Sequence, residues 1–457
     1  MKRSDGRQHK EVSNRLRVNA WTPGGFLPAG LLTLDEDGRQ ISATFQYDGS
    51  YLVAPGAYPL DPLNLPLSST LFPTDSQFVL LGSIFDAAPD AWGRRVVSAQ
   101  LPAAAGEGIY RNAFLRGADG IGSLVLTPES VPMQDLERIV QLSLTKRPSL
   151  SQIERAARAA ADFEQGLDLT DEMRSMLGGS WTIGGAHPKA VLSDDRPGAA
   201  PGSSLIAKLS SKLDTMRRNR LEWACMKMAH DMGFRVAPVD LVELNARGDS
   251  ALVLERFDRS SVNGTIHRKH YVSAISLASY APQSAHLDSR QDQVMLSWGK
   301  LMDIASRVAE KPAAAKVEMF SRLLLNTALQ NSDDHLKNFG FLKAPGSATH
   351  YEIAPVFDVS AQAASRHYLH CGDLGQVYDM GDVVPMARKF GVAKGVAQEI
   401  EERIVEILDS KERYFDEAGL TTAESEKSSQ WIASGLGPTH AIRERHGLAP
   451  SAPRPRA

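Results

Sequence analysis

The chain is 457 residues long and 42 % hydrophobic, enough for two or three cores. Its 51 Lys and Arg against 54 Asp and Glu leave a net charge of −3, so no global electrostatic pull toward nucleic acid or membrane is expected. Two distant cysteines, Cys225 and Cys371, exclude a disulfide framework or a thiolate metal site. No apolar run has the eighteen or so residues of a membrane helix, and the basic, polar start is unlike a signal peptide; a soluble cytoplasmic protein is expected.

Residues 1–19 hold six Lys or Arg against two acids and read as a basic flexible tail. From 20 to about 135 the pattern is β-rich. LLTL, ISATFQY and SYLVA read as strands separated by DEDG and YDGS turns. A helical FDAAPDAWGRRVVSAQL follows, then RGADGIGSLVL, a loop running into a strand. This region carries no nucleophile, metal set or phosphate loop, and reads as structural or as a partner surface.

Residues 136–257 open with amphipathic helices, two of them over about 133–176, and continue into LGGSWTIGGAHPKAVL. Four glycines flank Ser180 and Thr182, and strands are expected at 190–192 and in LIAKL, which carries Lys208. A glycine-rich hairpin whose backbone N–H groups approach phosphates, beside a strand lysine that reaches their oxygens, is how a kinase upper lobe is built. A plain turn remains the other reading of the glycines; Lys208 is harder to dismiss, because a buried ammonium needs an anionic partner. Glu222, on the helix starting near Arg218, is either that partner or an ordinary surface glutamate. VAPVDLVEL and ALVLERFDR then form an antiparallel pair ending at Glu255, Arg256 and Phe257, where a kinase hinge offers backbone groups to adenine.

Residues 258–436 read as a helical lower lobe, with 260–330 mostly helical, and 437–457 as a disordered Pro/Ala/Arg-rich tail. Within the lobe, NSDDHLKNFGFL packs two carboxylates, an imidazole, an ammonium and a carboxamide between two apolar segments. Asp333 and Asn338 have the five-residue spacing of a kinase catalytic loop. Strands at 339–342 and 351–353, joined by an APGS turn, are expected to return Asp358 to the side of Asn338. His367, His370 and Cys371 match no zinc spacing and read as scattered loop residues.

With LVLERFDR, NSDDHLKNFGFL and IAPVFDVS placed in order, the chain resembles the HipA family, serine/threonine kinase toxins of bacterial toxin–antitoxin pairs, over about 20–430. PDAWGRR and GADGIGSLVL look like that family's N-terminal subdomain. The resemblance implies a two-lobed, protein-kinase-like α+β fold behind a β-rich N-terminal subdomain. It implies that ATP and Mg2+ are used, with Asp333 catalytic, Asn338 and Asp358 as metal ligands and Lys208 as the ATP lysine. It further implies that Glu255, Arg256 and Phe257 form the adenine hinge and that His335 and Lys337 line the phosphates. Gly184, Gly185, Ala186, His187 and Lys189 match the family's phosphate loop, with autophosphorylation at Thr182 or Ser180. The implied partners are a small helix-turn-helix, HipB-like antitoxin that binds operator DNA, and an aminoacyl-tRNA synthetase as phosphorylated target. His187 replaces the family's glutamine, and Pro188 has no N–H to give a phosphate, so one cradle donor is expected to be missing. Two other readings stay open at this point: a small-molecule kinase with the same Asp, Asn and Asp, and a catalytically weak corepressor on DNA.

Overall fold

A computed structural model describes residues 14–37, 40–74, 81–88, 91–100, 109–116, 118–145, 147–177, 187–244, 249–262, 265–281, 289–347, 349–363 and 366–437. The first layer is a sheet of β1 (Arg15–Thr22), β2 (Gly25–Asp37), β3 (Gln40–Tyr47), β4 (Phe72–Thr74) and β5 (Leu124–Pro128), in the order β4-β3-β2-β1-β5. Period-two alternation builds it. Leu16, Val18 and Ala20 of β1 turn inward with Leu32, Leu34 and Phe45, all at most 2 % exposed. The first strand therefore begins at Arg15, inside the stretch expected as a tail, because those alternating apolar residues outweigh the arginines between them. SYLVA is also not a strand: α1 (Gly49–Leu52) forms there, because the Asp48 side chain accepts from Ser50 N and caps a helical turn. The short α2 (Gly82–Phe85), α3 (Ala91–Gln100) and α4 (Ile109–Arg116) follow β4.

Three helices occupy the stretch read as two: α5 (Met133–Thr145), α6 (Ile153–Glu164) and α7 (Asp171–Met176). Helix α5 buries Leu136 and Val140 against Ala118 and Val125 and so belongs with the first sheet. By contrast α6, α7 and Trp92 of α3 pack over a second, four-stranded antiparallel sheet. That sheet holds β6 (Lys189–Ser193), β7 (Ser204–Lys208), β8 (Val239–Glu243) and β9 (Ser250–Glu255) in the order β6-β7-β9-β8. Beneath it, α8 (Arg218–Asp231) is buried on almost every side, from Asn219 through Met226 and at Met228 and Ala229.

The stretch expected as mostly helical begins with strands. β10 (Arg259–Val262) pairs with β11 (Thr265–Arg268), and β12 (Tyr271–Ser273) joins β13 (Gly340–Lys343) and β14 (Tyr351–Ile353) in the order β12-β13-β14. β10 and β11 pair antiparallel, Arg259 with Arg268 and Val262 with Thr265, and their β-branched Val, Thr and Ile favour strand over helix. The lower lobe proper is α9 (Ala274–Ala278), α10 (Arg290–Met295), α11 (Trp298–Val308), α12 (Pro312–Ala328), α13 (Met380–Val383), α14 (Lys394–Leu408), α15 (Lys411–Ala418) and α16 (Thr422–Leu436). Its centre is α12, which starts on a proline whose missing N–H costs nothing in a first turn, and buries Met319, Phe320, Leu323, Leu324, Leu325 and Ala328. One hydrophobic core runs unbroken from α8 and β9 into these helices, so the two lobes share their interior.

Candidate active site

Lys208 ends β7 with its stem under the second sheet and its ammonium between two carboxylates. Its Nζ lies 2.6 Å from Glu222 Oε1 on α8 and also donates to Asp358 Oδ1. Glu222 is thus the lysine's partner and not a surface residue. Burial favours the neutral amine, but Asp358 and Glu222 outweigh it and raise the Lys208 pKa. Burial likewise works against the Asp358 carboxylate; Lys208 overrides it and holds the group at about 2, so Asp358 is ionised at neutral pH. For Glu222 burial prevails and its pKa rises. Lys189, 2 % exposed, stands opposite Lys208 across β6 and β7 and adds its positive charge to the cluster.

Asp358 has a φ of +58°, the left-handed region that non-glycine residues avoid. Such a conformation costs of order 1–3 kcal/mol and persists where surrounding structure over-determines it. Here the surroundings are β14, which pairs Ile353 with Phe341, and Ala237 N donating to Val356 O at 3.1 Å. The expected two-strand return of Asp358 to Asn338 is present: Asn338, Phe357 and Asp358 line one cavity of about 10 Å3.

The catalytic-loop candidate leaves α12 through Gln330, whose φ is +52°, and is tied back by Asn331 Nδ2 donating to Asn326 Oδ1 at 2.6 Å. The adjacent aspartates have opposite fates. Asp333 has a side chain 55 % exposed, 3.6 Å from His335 Nε2. Asp334 is fully buried and accepts from Tyr368 N, Leu369 N and Trp298 Nε1, at 2.7, 3.2 and 3.2 Å. Burial pushes its pKa up to about 7. Asn338 donates Nδ2 to the Asp333 carbonyl oxygen at 2.8 Å, leaving its Oδ1 as the free acceptor end. Asn338 and Asp358 thus offer two hard oxygens, which suits Mg2+, an ion held by one or two protein oxygens with phosphates and waters completing its shell. Lys337 is exposed and its charge acts on half-buried Asp86 at the end of α2.

At the hinge candidate, Phe257 lies 5.5 Å from the Phe357 ring beside Asp358. Glu255 is half exposed and 3.0 Å from Arg196. Arg256 offers its side chain to no ligand: it is 1 % exposed and donates to Asp119 and Asp258. A cleft of about 500 Å3 lined by Arg196, Ser204, Glu255, Arg259 and Ile266 includes none of Lys208, Asp333, Asn338 or Asp358, and so flanks the hinge away from the charged cluster. His187 is half exposed, 3.9 Å from Asp214 Oδ1. Gly184, Gly185, Ala186, Ser180 and Thr182 lie outside the described residues. The inward roles of Asp334, Asp119 and Asp86 are absent from the sequence reading. The doubled aspartate in a loop between buried segments was the available signal for Asp334.

A lysine bridging a helix glutamate and an aspartate in the segment after β14, with an Asp-x-x-x-x-Asn loop alongside, belongs to a protein-kinase-like two-lobed α+β fold. The family model described as HipA-like C-terminal domain matches residues 181–412, and the chain belongs to that HipA-like family. Over 140 residues it is 26 % identical to a Sinorhizobium fredii protein named as a candidate kinase, Y4mE, and over 141 residues 28 % identical to a Haemophilus influenzae protein named likewise. Those matches cover 30 % of this chain and 31 % and 39 % of the relatives' lengths. Among solved structures, the HipA chain of the Shewanella oneidensis MR-1 toxin–antitoxin complex with HipB and operator DNA has a TM-score of 0.60 at 17 % identity. It covers 94 % of this chain and 97 % of that one, a likeness of fold. Among the described residues no helix is long and apolar enough to cross a membrane.

Proposed function

We propose that this protein is an ATP- and Mg-dependent serine/threonine protein kinase acting as the toxin of a toxin–antitoxin pair in the cytoplasm. The observation that carries the proposal is the Lys208 ammonium held between Glu222 and Asp358, within the same fold as an exposed Asp333. In this reading Lys208 orients phosphate oxygens, and Glu222 keeps it extended. Asn338 and Asp358 hold the magnesium, whose chemistry is to neutralise charge on the phosphates. Asp333 aligns the acceptor hydroxyl and takes its proton. His335, Lys337, Lys189 and the 184–187 segment border the phosphates; backbone groups of Glu255 and Phe257 meet the adenine. The antitoxin would be a small helix-turn-helix protein that brings the complex to operator DNA, and the substrate an aminoacyl-tRNA synthetase.

The reading extends to self-regulation. A phosphate on Thr182, or on Ser180, adds about −1.5 to −2 charges beside the nucleotide phosphates. It would compete for Lys208 and switch the enzyme off. A Thr182→Asp, Ser180→Asp double variant is expected to lose ATP affinity while the double alanine variant keeps it. The deciding experiment is phosphosite mass spectrometry of cell extract incubated with ATP and the purified protein, against an Asp333→Asn control. Phosphoserine or phosphothreonine on a synthetase only with the parent protein supports the proposal. Identical phosphosites with both proteins overturn it.

A further inference from the structure

Behind the hinge lies a buried ionic cluster that the reaction scheme above does not use. It joins Arg256, Asp258 and Arg259 of the hinge and β10 to Asp119 and the 118–122 loop before β5, with Arg147 and Arg268 at its rim. Arg256 has five N–H donors, and five acceptors face them. Nε donates to Asp258 Oδ1 at 2.9 Å. Nη1 donates to the Asp119 carbonyl oxygen and Oδ1 at 3.0 and 3.1 Å, and Nη2 to the Gly120 carbonyl oxygen and Asp258 Oδ2 at 3.0 and 2.7 Å. Arg147 Nε closes on the other Asp119 oxygen at 2.6 Å, and Gly122 N donates to Asp258 Oδ2 at 2.7 Å. Arg256, Asp119 and Asp258 are 1–3 % exposed.

A lysine could not satisfy this set, because the acceptors are arranged around a planar fork. A surface linker would need none of it. Arg256 lies between the two residues whose backbones meet the base in the proposed function, so fixing its guanidinium in five directions fixes the peptide planes on either side. Phe257 is held at the same time against Phe357, next to Asp358. We infer that Asp119, from the N-terminal subdomain, is a positioning residue for adenine recognition, acting through Arg256 on the hinge. This rests on the kinase reading for its consequence, whereas the rigidity it assigns to the hinge stands independently.

The test uses the full chain and two variants, Asp119→Asn and Arg256→Lys, the second keeping the charge in case the first does not fold. Hydrogen exchange of the nucleotide-free protein reads the hinge, and calorimetry compares Mg-ATP with Mg-tripolyphosphate, which lacks the base. In the folded variants the amides of 255–258 should exchange at least about tenfold faster, with those of α8 unchanged. Affinity for Mg-ATP should fall roughly tenfold, about 1.4 kcal/mol, while that for Mg-tripolyphosphate holds. Unchanged hinge exchange in a folded variant, or equal loss of both ligands, overturns the inference. A parent protein that binds neither ligand overturns the kinase reading and with it the adenine role, and hinge exchange then decides only whether Asp119 rigidifies residues 255–258.

Discussion

Asp333 and Asp334 are neighbours in sequence and opposites in environment, which makes them the sharpest single-residue tests. Replacing Asp333 by the near-isosteric Asn should leave the fold and ATP binding intact and abolish phosphoryl transfer, measured as label transfer from ATP; a folded variant at parental rate contradicts the assignment. Asn338→Ala and Asp358→Ala should each weaken ATP binding in the presence of magnesium, since each removes an oxygen from a hard cation. Calorimetry that shows no change, with or without magnesium, counts against both. Asp334 is a prediction about pH. Its folded pKa of about 7 lies above the ordinary carboxylate value, so the folded state prefers the proton and this group's contribution worsens as pH rises from about 4 to about 7. Asp334→Asn removes that titration. The variant's melting temperature relative to the parent should therefore improve across this window, whatever its offset from lost hydrogen bonds. Asp358 works in the opposite sense: its folded pKa is depressed to about 2, so the stability it contributes is present above the ordinary carboxylate value and is lost as pH falls from about 4 toward 2.

At the scale of elements, the catalytic-loop candidate depends on two close approaches. A Cβ on Gly340, at the start of β13, would land inside the Tyr271 ring of β12, and a Cβ on Gly435 of α16 would collide with the Thr327 and Ala328 carbonyl groups that close α12. Both glycines allow an element to press against the ends of the segment holding Asp333 and Asn338. Gly435→Ala must push α16 away from a buried surface, an overpacking that costs about 1–3 kcal/mol. The expected result is a lower denaturant midpoint with an unchanged slope; a parental midpoint would show that α16 is free to move.

The whole molecule is tied together across its parts. Trp92, Val96 and Val97 of α3 share a core with β6, β7 and β9, Tyr351 Oη of β14 reaches the Pro59 carbonyl oxygen, and Asp86 accepts from Ser273 N at 2.8 Å. Arg256 and Arg259 would lose Asp119 and the carbonyl acceptors of the 118–122 loop, leaving two buried arginines on the single carboxylate of Asp258, an uncompensated buried charge that is strongly destabilising. Deleting residues 1–131 should therefore give insoluble or molten protein and not an independent kinase core. A soluble, cooperatively melting product would show the N-terminal part to be a separable domain.

Much of the candidate site was legible because its residues lie at short spacings along the chain. Asp333 to Asn338 spans five residues, and the segment to Asp358 holds two apolar runs with one turn, patterns that local sterics and alternation alone constrain. The order of Lys208, hinge and catalytic loop also follows from the chain. Other decisions rest on partners far away in sequence. Periodicity left Glu222 balanced between partner and surface residue; the packing of α8 under β7 settled it, since only there can a carboxylate compensate a buried ammonium. Nothing local distinguishes Asp334 from Asp333; the approach of Trp298 and the 368–369 backbone turns one inward. Arg256 reads as a hinge residue in sequence, but its side chain faces a loop 136 and 137 residues away. Residue types and spacings determined which chemistry the chain can carry. Tertiary structure decided which charges are buried and against what, because desolvation and charge pairing depend on contacts that no local pattern specifies.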